Sequence, residues 1–132
     1  MKYLKITLTV FFATFIFAVY NANAQTLSLV DITIPSFKGT YMTSQHDKRD
    51  TNTQYIKKTE CTDDLSGDGR AILAKVHGMF AGMSDSSWVT ATKNQNVSFG
   101  SNSQTIGGWK LYLQSNKNLI TTASFWGIWT IN

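Results

Sequence analysis

The sequence predicts an all-β fold, a single antiparallel β-sandwich of about seven strands. Short alternating apolar runs are separated by polar turns rich in Ser, Thr, Asn and Gly. No long apolar face of helical period appears after the first two dozen residues. Aromatic residues make up 13% of the chain, and they favour pleated surfaces.

The N-terminus stands apart from this pattern. Lys2 and Lys5 precede an apolar run of 15 residues, 6–20, and then the small-residue site Ala22-Asn23-Ala24. This layout predicts a signal peptide over 1–24, cleaved after Ala24. The run is short of the roughly twenty residues a spanning helix needs. Export would leave 132 − 24 = 108 residues, one domain over 25–132 with a modest core. Losing Lys2 and Lys5 takes the cations from 12 to 10 against 8 acids, a net charge of +2. No basic cluster marks a nucleic-acid binder. Cys61 is the only cysteine, so the chain is free of internal disulfides and packing must hold it together.

The first strand is expected over 27–34, closed by Pro35, with Val30, Ile32 and Ile34 facing the core. A second extended piece covers 37–43, and the polar stretch 44–52 reads as a loop. The next strand, 54–62, turns Tyr55 and Ile56 to opposite faces and holds Lys57, Lys58 and Glu60 toward water. Over 70–80, Ile72, Ala74 and Val76 share one face and Leu73, Lys75 and His77 the other. Good helix formers occur there, but the run is short and ends at Gly78, which favours a strand. These two strands are expected to form a hairpin around Gly67-Asp68-Gly69.

The stretch 78–87 reads as a loop carrying Met79, Phe80 and Met83. A strand at 88–93 follows, then a turn at Asn94-Gln95-Asn96, a short run at 97–99 and a loop over 100–108. Trp109, Leu111 and Leu113 point inward, with Tyr112 outward. A hairpin turn at 115–118 leads into the last run, 119–131. There Ala123, Phe125, Gly127, Trp129 and Ile131 share a face, and Trp126 lies on the other.

Little converges toward catalysis. Asp64, Ser66 and Asp68, followed by Gly69, resemble the opening of a calcium loop. The twelfth place, which needs a bidentate glutamate, is Lys75, so a polar turn is the simpler reading. Calcium-dependent binding through Asp64, Ser66 and Asp68 remains an alternative. His46, His77 and Cys61 supply too few ligands for zinc. No nucleophile signature surrounds Cys61. The chain is therefore read as non-enzymatic, without a cofactor. Asn96-Val97-Ser98 has the form of a glycosylation sequon, which is idle outside a eukaryotic secretory route. The four tryptophans, Trp88, Trp109, Trp126 and Trp129, are the candidate binding residues. An outward indole offers a platform for a sugar ring, a peptide or a membrane interface.

Three stretches carry a resemblance. They are Asp50-Thr51-Asn52-Thr53-Gln54-Tyr55-Ile56-Lys57, the rhythm of Arg70, Val76 and Gly78, and the closing Ala123-Ser124-Phe125-Trp126-Gly127-Ile128-Trp129. Together they resemble an uncharacterised family of small secreted Gram-positive bacterial β-sandwich proteins that end in a G-x-W strand. A looser likeness is to lactococcin-type bacteriocins, which also close on an aromatic strand after Ala-Ser-Phe. The resemblance implies a secreted, non-enzymatic protein, antimicrobial or envelope-associated, with no catalytic residues. The expected function is thus a secreted binding protein, bacteriocin-like or directed at a cell-envelope component or target-cell surface. The alternative is a structural or matrix protein that assembles through strand edges.

Overall fold

The structure, a computed structural model, describes residues 25–61, 71–117 and 120–131. They hold nine strands: β1 (Gln25–Ile34), β2 (Thr40–Met42), β3 (His46–Lys48), β4 (Tyr55–Cys61), β5 (Ile72–Gly78), β6 (Val89–Ala91), β7 (Val97–Ser98), β8 (Gly107–Ser115) and β9 (Ala123–Ile131). The first sheet has the order β1-β9-β4-β7. The second has the order β2-β8-β5-β6, with β3 also paired to β8. All strand pairs are antiparallel. The fold is the all-β sandwich that alternation predicts, with nine described strands instead of about seven.

The core lies between the sheets. Ile56, Phe125, Trp129 and Ile131 come from the first sheet, and Ile72, Val76, Trp109, Leu111 and Leu113 from the second. The alternations over 72–78, 109–113 and 123–131 appear as predicted, with every inward member buried or shielded.

The inward face of β1 differs from the expected one. Leu29 pairs with Gly127 and Ile32 with Phe125, so Val30 and Asp31 together oppose Trp126. This is a β-bulge, and Asp31 takes φ 49° within it. The extra residue reverses the parity of the strand. Leu27 and Leu29 face inward before it, Ile32 and Ile34 after it, and Val30 is left 67% exposed. A second irregularity in β4, between Lys58 and Glu60, lets both Lys58 and Cys61 turn inward. Lys58 is therefore buried, not held toward water.

Neither expected hairpin forms. β4 belongs to the first sheet and β5 to the second, and β8 and β9 are divided in the same way. The connections over 62–70 and 116–122 therefore carry the chain between layers. Alternation reports a buried face and not the partner at a strand's edge.

The stretch 44–52 is not wholly loop, because β3 lies within it. β2 and β3 follow the same edge of β8 on either side of Thr43. Thr43 N donates to the Leu111 carbonyl at 3.0 Å, and Thr43 Oγ1 accepts from Leu111 N at 3.0 Å. The hydroxyl thus stands in for a ladder carbonyl where the edge is broken. Lys48 is fully buried and donates to the Asp50 carboxylate at 3.0 Å and to the Asp50 carbonyl. Burial raises the Asp50 carboxyl, but bonds from Lys48 and Asn52 outweigh it and hold the group below its ordinary 3.8.

One buried polar residue ties several elements together. Gln54 Oε1 accepts from Trp129 Nε1 at 3.0 Å, and Gln54 Nε2 donates to the Ser103 carbonyl at 3.1 Å. Gln54 N donates to Ser103 Oγ at 3.1 Å. Ser103 sits in a 3-10 turn, Ser101–Gln104, that the amide docks against β4. The Gln54→Leu variant keeps most of the volume but leaves the indole N–H and the Ser103 carbonyl buried without partners. It should lose about 2–4 kcal/mol in urea unfolding.

Gly127 is required for a steric reason. A Cβ there would meet the Lys57 carbonyl at 2.6 Å and the Phe125 ring at 2.7 Å. The Phe125 ring thus lies in the space a side chain would take, on the strand between β1 and β4. Gly127→Ala should cost about 2–3 kcal/mol through overpacking, read as a lowered Tm and urea midpoint.

Candidate functional site

The four tryptophans separate into two classes. Trp109 and Trp129 are 0% exposed and belong to the core. Trp109 Nε1 donates to the Thr105 carbonyl at 3.0 Å, and Trp129 meets the His46 ring edge-on at 5.6 Å. These two were candidates for an aromatic binding surface, and burial removes both. Their inward parity explains it: each lies in register with the buried members of its strand. Trp126 is half-buried on the outer face of the first sheet, opposite Glu60. Trp88 is 39% exposed, and it alone of the four joins a cluster of polar and charged groups.

That cluster lies on the outer face of the second sheet. Register sets Lys75 opposite Tyr112 and His77 opposite Lys110 across β5 and β8. Alternation turns all four outward, since Ala74, Val76, Leu111 and Leu113 fill the core. The Lys75 ammonium lies 5.2 Å from the Trp88 ring centre and 5.4 Å from that of Tyr112. The His77 ring stacks on Tyr112 with centres 5.3 Å apart and planes at 23°.

Asp85 closes the group from the β5–β6 connection. Its carboxylate takes Lys75 Nζ at 3.1 Å and His77 Nδ1 at 2.7 Å. Gly78 N also donates to it, at 3.3 Å. The position of Asp85 is fixed through its neighbours. Ser86 N donates to the Val76 carbonyl and Ser86 Oγ accepts from Val76 N, both at 3.0 Å. This continues the pairing along β5 beyond Ala74, where the ladder with β6 ends. Asn102 Nδ2 donates to the Asp85 carbonyl at 3.1 Å. The rest of the loop seats on glycine. Met83 packs where a Gly78 side chain would lie, and Phe80 lies over Gly107 and Gly108.

The electrostatics follow from this geometry. Burial pushes the Asp85 carboxyl up, but hydrogen bonds and charge from Lys75 and His77 outweigh it and hold the group below 3.8. An ionised carboxylate only accepts, so the proton in the His77 contact sits on Nδ1. In the neutral ring Nε2 then carries a lone pair.

Among the described residues no three His, Cys, Asp or Glu side chains gather to hold a metal ion. Asp64, Ser66 and Asp68 lie outside the described residues. Cys61 is buried in the core. Compared with protein-family models, curated proteins and solved structures, the chain matches none.

Trp88 was the part of this site legible in the sequence. The alternations also turn Lys75, His77 and Tyr112 outward, but nothing along the chain states that β5 and β8 are neighbours in this register. Asp85 sits in an irregular Gly- and Ser-rich loop, where no periodicity marks it.

A depressed carboxyl stabilises the fold above its unfolded value of 3.8, and that stability is lost as pH falls through the lower folded value. Asp85→Asn should therefore be less stable than wild type at about pH 7, with the difference closing as pH falls below 3.8 in urea titrations. A gap that stays constant with pH would show that the ion pairs contribute nothing.

Proposed function

We propose that this chain is an exported, non-enzymatic binding protein directed at a component of a cell envelope or a target-cell surface, and that it binds through the outer face of the second sheet. The supporting observation is the convergence of Trp88, Tyr112, Lys75, His77 and Asp85 on one exposed face. An exposed indole, a second ring and a ring of oriented polar groups form the usual composition of a small recognition site. Among the described residues no nucleophile is bonded to the His77–Asp85 pair, so binding fits the arrangement better than chemistry does. The export signal read at 1–24 supports an envelope target, and a bacteriocin-like role is the sharpest form of this reading.

Assembly through strand edges has less support. β1 lies at the edge of the first sheet, but the bulge at Val30 and Asp31 bends it and places an acid there. Such features discourage edge pairing.

The test is cosedimentation of the purified protein with a cell-wall fraction from a Gram-positive bacterium. Trp88→Ala should weaken binding at least about tenfold with an unchanged circular dichroism spectrum. Trp126→Ala, on the opposite outer face, should change it by less than about twofold. Equal binding by Trp88→Ala and wild type would remove this face from the reading.

A further inference from the structure

The same face carries information about the chemistry of its ligand, and the inference drawn here rests on the reading above. Its charged groups are largely satisfied from within. Lys75 donates to Asp85 and lies between the two rings. Asp85 accepts three bonds, from Lys75, His77 and Gly78, and a carboxylate has room for about four. The groups left to meet a ligand are mostly uncharged. The Trp88 indole N–H and the Tyr112 hydroxyl make no hydrogen bond among the described residues. The His77 Nε2 lone pair, one acceptor position of Asp85 and the Lys110 ammonium complete the set.

An anionic ligand fits this set poorly. It would meet an ionised carboxylate and a ring lone pair, with the Lys75 ammonium already paired and only Lys110, opposite His77, to offset them. A cation would meet Lys75 and Lys110. A polyhydroxylated ring fits, because its hydroxyls both donate and accept, and its C–H face stacks on an indole.

We infer that the ligand of this face is a neutral saccharide ring that stacks on Trp88 and donates hydroxyls to His77 Nε2 and Asp85.

The experiment uses the full exported chain and a Gram-positive cell-wall fraction, before and after hydrofluoric acid removes its phosphate polymers. A neutral ligand predicts that stripping and a rise to about 0.5 M salt change affinity by less than about threefold. Asp85→Asn, shown to be folded by its spectrum, should bind about tenfold more weakly because a charged acceptor is lost. Loss of binding on stripping, or tighter binding by Asp85→Asn, would identify an anionic ligand. That would overturn this inference and leave the binding face intact. Absence of wild-type binding to either fraction would overturn the binding reading, and this inference with it.

Discussion

The amide of Gln54 holds the parts of this sandwich that packing alone leaves unresolved. A fully buried indole brings a polar N–H into the core, and that group costs free energy unless it finds an acceptor. Gln54 Oε1 provides the acceptor, and its Nε2 reaches the Ser103 carbonyl of the 3-10 turn between β7 and β8. One side chain therefore specifies the depth of β9, the start of β4 and the seat of a connection. The indole also meets His46 of the opposite sheet, so the contact extends across the core. A chain with one cysteine has no covalent substitute for this arrangement.

Connectivity shows why such anchoring matters. Among the described strands, β5 and β6 are the only sequence neighbours that pair directly. Every other ladder joins segments separated by at least one further strand; β1 meets β9 across nearly the whole chain. Such pairings require long loops to close before any hydrogen bond is gained, which slows folding. The buried polar contacts add specificity where register would otherwise be chosen by apolar pattern alone.

The sequence was informative about faces and poor about neighbours. Alternation at 72–78, 109–113 and 123–131 located most of the core, because side-chain parity is a local property of an extended chain. It failed at β1, where the bulge reversed parity within one run. It also failed at Lys48 and Lys58, whose charge suggested water while their register turned them inward. Both hairpins were misread for one reason: a polar turn looks the same whether the chain returns to its own sheet or crosses to the other. The site shares this limit. Trp88 stands out by composition, whereas its partners come from β5, β8 and a loop that only the fold brings together.

The partners also order this face. Exposed lysine and histidine side chains ordinarily lose rotamer freedom on binding, which weakens affinity. Here Asp85 restrains both, and Asp85 is itself held by the pairing of Ser86 with Val76 and by Asn102. The Tyr112 ring is restrained by the His77 stack. Much of the ordering that a ligand would otherwise impose is therefore already present in the free protein. The charges of Lys75 and Asp85 are directed at one another, which leaves the rings, the uncharged donors and acceptors and the Lys110 ammonium as the chemistry presented to solvent.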